Sequence, residues 1–430
     1  MRHMLTSAAL ATAVLALPSI ASGQTVLPGY LDEVRALGAD GSVRAAMERI
    51  EALDPWGIER LIELTEIPAP PFGEEARGIR FGQLLAEAGA DSVWTDPEGN
   101  VIGLLRGSGG GRTVVLGGHL DTVFPEETDV TVRIVGDTLF APGIGDDTRG
   151  LVVVLTVLRA MTETEIRPED DVLFIGTVGE EGLGDLRGMK YLFRDGAPTI
   201  DSWIEIDGGG IGGVTSMGLG SVRYRITFEG PGGHSWGAFG TANPAHALGR
   251  GTFNFQEVAE AITRSGPRTS YNIGTLGGGT SVNAVPFEAW AEVDMRSESP
   301  ESLARIEEAM IASFRRALEE ENGLRRRGEE LTLRLDKVGD RPSGELPHEA
   351  PLVQRALATS EFFGAPGATS RSSTNSNIPI SLGVPAVTIG RGGIGGESHA
   401  PGEWWSNRDG HLAIQRALLL LLLEAGIAGG

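Results

Sequence analysis

The chain has 430 residues, 40% hydrophobic and 22% charged, a composition that excludes a disordered or membrane-spanning protein and leaves room for more than one core. Its 36 basic and 58 acidic side chains give a formal charge of −22, which argues against nucleic acid and anionic membranes as partners. With no cysteine, disulfides, thiolate metal sites and cysteine nucleophiles are excluded, so any metal must sit on His, Asp and Glu.

In chain order, residues 1–23 come first. A basic start is followed by an apolar run from Ala8 to Ile20 and by Ala21-Ser-Gly23, a pattern that predicts a signal peptide cleaved after Gly23 and a secreted or periplasmic product without a membrane anchor. Apolar residues recur at helical spacing from Leu31 to Leu53 and from Trp56 to Thr65, until Pro68, Pro70 and Pro71 stop the pattern. Short β-rich runs at Thr113–Leu116, Asp171–Val178 and Ser202–Ile206 then alternate with helical ones such as Gly150–Met161, which predicts an α/β fold on a mostly parallel sheet. Between Ser221 and Val338 the order becomes strand (Val222–Phe228), helix (Ala242–Ile262), strand (Ser270–Ile273), strand (Phe287–Met295), helix (Pro300–Glu320), strand (Leu331–Leu335). That β-α-β-β-α-β order is a self-contained ferredoxin-like unit. The α/β pattern resumes with a helix near Pro351–Phe363, a strand at Ala386–Ile389 and a terminal helix, whose block Leu418–Leu423 is too short to span a membrane. The expected organisation is therefore a large domain in two parts, 24–218 and 340–430, with a small domain at 219–339 inserted into it.

Polar residues cluster just after the predicted strands, where open α/β sheets bind ligands. His119 and Asp121 follow Val114-Val-Leu-Gly-Gly118, Glu180 and Glu181 follow Leu173-Phe-Ile-Gly-Thr-Val178, Asp207 follows Trp203-Ile-Glu-Ile206, and His399 lies in the Gly-rich loop after Val387-Thr-Ile389. Asp146 and Asp147 open a helix in Gly143-Ile-Gly-Asp-Asp147. Taken singly, a loop histidine or a pair of acids is more often a solvated cap than a ligand. Together, two histidines and several carboxylates flanked by glycines are costly unless a cation neutralises them, and five ligands with one bridging carboxylate suit two zinc ions roughly 3.5–4 Å apart.

Gly118-His-Leu-Asp-Thr-Val123, Gly143-Ile-Gly-Asp-Asp147, Gly179-Glu-Glu-Gly182, Ile206-Asp-Gly-Gly209 and Ser398-His399, in that order, resemble the M20 metallopeptidases across nearly all of the mature chain. The resemblance implies that His119 and Asp207 hold one metal and Glu181 and His399 the other, with Asp146 bridging. It casts Asp121 as the carboxylate orienting His119 and Glu180 as the general base toward the attacking water. It reads the inserted domain as a lid and dimerisation domain. There Gly230-Pro-Gly-Gly-His-Ser235 looks like the motif whose histidine, His234, stabilises the oxyanion in the partner subunit, which implies a homodimer. Asn283 and Arg296 resemble the lid groups that bind substrate, an Arg fork suiting a terminal carboxylate.

The implied cofactor is two divalent ions per chain, zinc or else cobalt or manganese. The implied substrate is a short peptide or an acyl-amino acid. The resemblance implies that Asp at position 207, which family members cleaving from the amino end tend to carry, favours an aminopeptidase acting on di- or tripeptides over a carboxypeptidase or N-acyl-amino-acid amidohydrolase, and Glu205 is the alternative ligand that would weaken that choice. Asn375, in Ser373-Thr-Asn-Ser-Asn377, stands where many relatives carry Asp, which puts any charge-based substrate contact of that loop in doubt. Two other readings compete. Gly233-His-Ser-Trp-Gly237 matches a nucleophile elbow, with Ser235 the nucleophile and Asp294 and His399 following in triad order, although the predicted context is not that of an elbow. The other is a non-catalytic metal-dependent binding protein, against which the retention of both Glu180 and Glu181 argues.

Overall fold

The computed structural model describes residues 25–429; the expected signal segment, residues 1–23, lies outside them. A nine-stranded sheet carries the larger unit. Its four central strands, Asp171–Thr177, Thr113–His119, Ser202–Ile206 and Ala386–Ile389, are neighbours in that order and all parallel. Antiparallel strands close both sides: Val101–Leu105 and Ser92–Thr95 on one, Gly213–Gly218 and Gly344–Glu345 on the other. Side chains alternate between the two faces. Val114, Leu116, Phe174 and Ile204 pack under the helices Gly150–Glu163 and His411–Ala425, while Val115, Ile175 and Trp203 pack on the opposite side. Burial on both faces explains why these strands read as near-continuous apolar runs.

The helical stretch expected over Leu31–Leu53 is two helices, Tyr30–Ala39 and Gly41–Ala52. Asp40 breaks it: its backbone is extended and its carboxylate accepts the N–H groups of Ser42 and Val43, capping the second helix. The leucine block at 418–423 lies within the terminal helix His411–Ala425, which covers the sheet.

The inserted unit runs strand Gly220–Glu229, helix Pro244–Thr263, strands Thr269–Gly278 and Glu288–Ser297, helix Pro300–Leu324, strand Thr332–Arg341. This is the predicted β-α-β-β-α-β order. Both long helices start on the same local chemistry, a side-chain cap (Asn243, Ser299) followed by proline at the first helical position. They pack against each other and onto one face of a four-stranded antiparallel sheet, around Phe228, Phe255, Met310 and Phe314. The expected boundary at residue 339 falls inside the last strand, which shifts register between Lys337 and Gly339 and continues to Arg341. Gly218 and Gly344, next to the two crossings between the units, pair with each other.

Because the central strands are parallel, their carboxyl ends share one edge of the sheet. His119 ends one strand, Glu180 and Glu181 follow the next closely, and Asp207 directly follows a third. The loop after the fourth leads to His399.

Candidate metal centre and active site

His119 closes its strand almost fully buried, and its backbone N–H donates to Asp147 Oδ2 at 3.1 Å. A Cβ on Gly118 would stand 2.9 Å from that carboxylate, so glycine is what lets the strand approach the acidic loop. The loop, Ile144–Arg149, is kinked at Asp146 and Asp147, whose backbone is not helical and whose shared peptide bond is cis. Glu403 holds it: its carboxylate accepts the N–H groups of Gly143 (2.8 Å), Gly145 (3.0 Å) and Asp146 (2.9 Å).

Asp146 stands between the two histidines. Its Oδ1 is 3.4 Å from His119 Nε2 and its Oδ2 3.3 Å from His399 Nε2, while His399 Nε2 is 2.9 Å from Glu181 Oε1. One ligand atom from each of His119, Asp146 and Glu181 lies within 4.8 Å of the others. Asp207 lines the same cavity, of about 320 Å³, as Asp146, Glu181 and His399. Between Asp146 and Asp207 sits Arg391, whose Nη1 is 3.7 Å from Asp146 Oδ1 and 3.6 Å from Asp207 Oδ1.

The electrostatics of this cluster ask for positive charge. Burial disfavours a proton on His119, yet its bond to Asp146 and the fields of Asp147, Asp121 and Glu180 hold its pKa well above the ordinary histidine value. Bonds to Asp146 and Glu181 push His399 up to about 10. Burial raises Glu180 well above the usual carboxylate range against the pull of Arg341 and His119, and raises Asp207 with help from Asp146. Two imidazoles and three carboxylates, with one carboxylate between the imidazoles, fit two divalent cations.

Asp121 departs from the role the resemblance implies. The bond to His119 Nδ1 comes from the Asp121 backbone carbonyl at 2.9 Å, and the carboxylate is 3.7 Å away. That carboxylate instead accepts the N–H groups of Glu180 (3.0 Å) and Glu181 (2.7 Å), because a fully buried carboxylate beside two free backbone donors is satisfied there. Asn375 makes no substrate contact of the kind the sequence put in doubt. It is fully buried and does not line the cavity, and its Nδ2 donates to Glu205 Oε1 at 2.7 Å and Thr177 Oγ1 at 2.8 Å. The other Glu205 oxygen takes Trp203 Nε1 at 2.7 Å, which leaves Asp207 as the member of that pair that faces the cavity.

The inserted unit contributes unevenly. Arg296 lines the cavity and, like Arg223, bonds the carboxylate of Asp294, at 2.8 and 2.9 Å. Arg223 Nη1 also reaches Gly182 O at 2.7 Å. Arg341, at the end of the last lid strand, donates from Nη1 to Glu180 Oε1 at 3.1 Å and from Nη2 to the Glu180 carbonyl. His234 and Asn283 are neighbours, joined by Ser235 N to Asn283 O at 2.8 Å, but neither lines the cavity, and His234 Nδ1 accepts only nearby N–H groups, those of Trp236 and Gly237. Around them Trp236 (86% exposed), Phe239, Val282 and Phe287 face solvent. The serine triad does not assemble. Asp294 is engaged by two arginines, His399 by Asp146 and Glu181, and Ser235 sits in the lid loop.

Glu403, Arg391 and Arg341 escaped the sequence reading. Glu403 had a weak local signal, an acid four residues beyond His399, and Arg391 had another, its place two residues after the strand Ala386–Ile389; Arg341 had none, since Glu180 lies far along the chain.

The description "Peptidase family M20/M25/M40" fits residues 115–425 of this chain. A protein of Pyrococcus abyssi (strain GE5 / Orsay), named for LysW-lysine/LysW-ornithine hydrolysis, is 34% identical over 169 residues, 39% of this chain and 45% of that relative, so the match spans less than half the relative's length. Among solved structures, a tripeptidase from Staphylococcus aureus subsp. aureus Mu50 superposes with a TM-score of 0.67 at 21% identity, covering 86% of this chain and 98% of its own. The Bacillus subtilis YXEP protein, described as a dinuclear metal binding peptidase, superposes with a TM-score of 0.60 at 15% identity, covering 87% and 99%. At these identities the two structures speak for the fold.

Proposed function

The chain belongs to peptidase family M20/M25/M40, and from that premise we propose that it is a secreted, homodimeric hydrolase of peptide bonds in short peptides, acting from the amino end of di- and tripeptides. The observation that carries the reading is the meeting of His119, Asp146, Glu181 and His399 within bonding distances, with the Glu180 carboxylate at the rim of the same cavity. His119 and Asp207 would hold one divalent ion and Glu181 and His399 the other, with Asp146 between them. When bound, the ions, zinc or else cobalt or manganese, supply polarisation of the scissile carbonyl and acidification of the attacking water.

Glu180 takes the proton from that water and returns it to the leaving nitrogen. Its Oε1 is bonded to Arg341, which leaves Oε2 to carry the proton. On the lid side, Arg223 and Arg296 share the single carboxylate of Asp294. The surplus positive charge supports binding of a substrate carboxylate there. Asn283 and His234, exposed and outside their own cavity, suit donation to the partner subunit, and the apolar residues around them suit coverage by it. The amino-end preference is supported by Asp207, rather than Glu205, facing the cavity.

A panel of free and N-acetylated di- and tripeptides, assayed with each metal on wild type and Glu180→Gln, tests this reading. Cleavage of free peptides that a chelator abolishes and the variant lacks is the expected result. Cleavage of acetylated peptides alone would replace it by a carboxypeptidase or amidohydrolase, and no cleavage with any metal would overturn it.

A further inference from the structure

Asp146 borders a second opening. A cavity of about 470 Å³ shares Asp146 and Gly208 with the first, but none of its lining residues comes from the lid. Its walls are the segment Gly208–Gly210 just past Asp207 and the loop Gly392–Gly395. The two are tied together: Gly392 N donates to Gly209 O at 3.1 Å, and Trp405 Nε1 to Gly392 O at 2.9 Å. Gly392 and Gly393 have positive φ, and a Cβ there would collide with Ala413 or Trp405, so the fold itself requires those glycines. Gly209 and Gly210 differ. Their φ is ordinary and a Cβ would meet nothing within 4 Å, so what glycine preserves at these two positions is open space.

Two charged side chains line this space, Asp146 at its border with the first cavity and Arg391. Arg391 is 7% exposed and its Nη1 has no hydrogen-bond partner, while Nη2 stands 3.5 Å from Ser398 Oγ. The carboxylates around it are Asp146, Asp147, Asp207 and Glu403. Asp146 and Asp207 are committed to cations in the proposed centre, Glu403 is satisfied by three backbone N–H groups, and Asp147 accepts the His119 N–H. A substrate whose carbonyl lies at Asp146 must extend in two directions. One direction leads to the cavity lined by Arg223 and Arg296, the other to the glycine-walled cavity.

We propose that this cavity is the acyl-side subsite and that Arg391 selects acyl portions bearing a carboxylate, either an amino-terminal aspartate or glutamate or a dicarboxylic acyl group. The inference rests on the peptide-bond reading above. It names the side of the bond, and the chemistry, that the family resemblance leaves open.

Calorimetric titration of the zinc-loaded chain with acyl-side products tests it without requiring turnover. L-Aspartate and succinate are compared with L-alanine, acetate and L-lysine. At least one dicarboxylate should bind about tenfold or more tightly than its monocarboxylate counterpart, the scale of a charge-assisted bond to a buried guanidinium. Preference for L-aspartate over L-alanine assigns the site to amino-terminal acidic residues, and preference for succinate over acetate assigns it to dicarboxylic acyl groups. Arg391→Gln should erase the preference. Gly209→Leu fills the cavity without touching a ligand, so it should weaken the dicarboxylates while the metal content stays at the wild-type ratio, which keeps the test decisive if Arg391→Gln loses metal. Equal binding of mono- and dicarboxylates, or a preference that survives Gly209→Leu, overturns the proposal. If aspartate binds with preference but Asp-Ala and its relatives are not cleaved, the functional reading fails and the subsite stands.

Discussion

The loop that carries Glu180 and Glu181 and the loop that carries His234 serve the same proposed reaction, yet they are held very differently. The first is pinned from several directions: Asp121 takes two of its N–H groups, Arg341 takes Glu180 twice, and Arg223 takes the Gly182 carbonyl. Its acids are buried, and burial raises Glu180 well above the usual carboxylate range. The second is held by its own local bonds and by a few contacts of its backbone to Asn283 and Arg327, and it displays Trp236 and Phe239 to solvent. A polar network that is closed within one chain can be tuned by that chain alone. An exposed one ringed by apolar side chains is completed by whatever covers it.

The largest expected effect tests the closed half. Glu180→Gln keeps its shape but cannot accept a proton, so turnover should fall by roughly two to four orders of magnitude with metal occupancy intact. Glu181→Gln, like His119→Ala or His399→Ala, should instead lose metal, which elemental analysis reads directly. Exchanged phenotypes at positions 180 and 181 would reverse the two roles.

The next effect tests the open half. His234→Ala should leave both metals bound and lower turnover by roughly a hundred-fold, the scale of losing one oxyanion donor. Mixing it with Glu180→Gln should recover about a quarter of the wild-type rate per chain, because half the dimers then hold one intact centre and one intact His234. No recovery under proven subunit exchange would confine His234 to its own chain. Arg296→Ala should be milder, raising KM about tenfold for peptides with a free carboxylate and sparing their amides. An equal effect on acids and amides would remove Arg296 from carboxylate recognition.

The smallest effect concerns stability in the buried half. Burial raises Glu205 from 4.5 to about 7 despite its bond from Asn375. The folded chain thus keeps this proton longer than the unfolded one, so the contribution is fully present below about pH 4.5 and lost as pH rises through 7. Glu205→Gln should flatten that slope, by up to roughly 3 kcal/mol between pH 5 and 8. Denaturant midpoints that fall with pH equally in both chains would assign the slope to other groups.

Sequence periodicity was enough for the architecture. The β-α-β-β-α-β unit was legible because its strands alternate and its helices begin on Asn243-Pro and Ser299-Pro, which are local signals. The ends of the central strands were legible for the same reason, while the grouping of His119, Asp146, Glu181 and His399 came from the order of the motifs and their resemblance to a family. What stayed hidden was which atom of each residue does the work. Asp121 holds His119 through a carbonyl and spends its carboxylate on the Glu180 turn, a choice decided by which donors packing leaves nearby. Glu403 bonds a loop some 260 positions earlier, and Asn375 bonds Glu205 across 170, so no spacing in the chain could reveal either pairing.

The place of one short strand bears on how the chain comes together. Ala386–Ile389 lies between Ser202–Ile206 and Gly213–Gly218, two strands that are near neighbours in sequence and do not touch as a ladder. As the chain emerges from the ribosome, everything through the inserted unit can form before that gap is filled. Until residue 389 arrives, two strands of the main sheet expose bare edges, the kind of surface that pairs with the wrong chain. The inserted unit has its own closed core and can fold in the interval, keeping those edges apart from its own strands. Closure of the gap also delivers Arg391 and His399, so the last strand of the main sheet in chain order brings the final residue of the proposed metal centre with it.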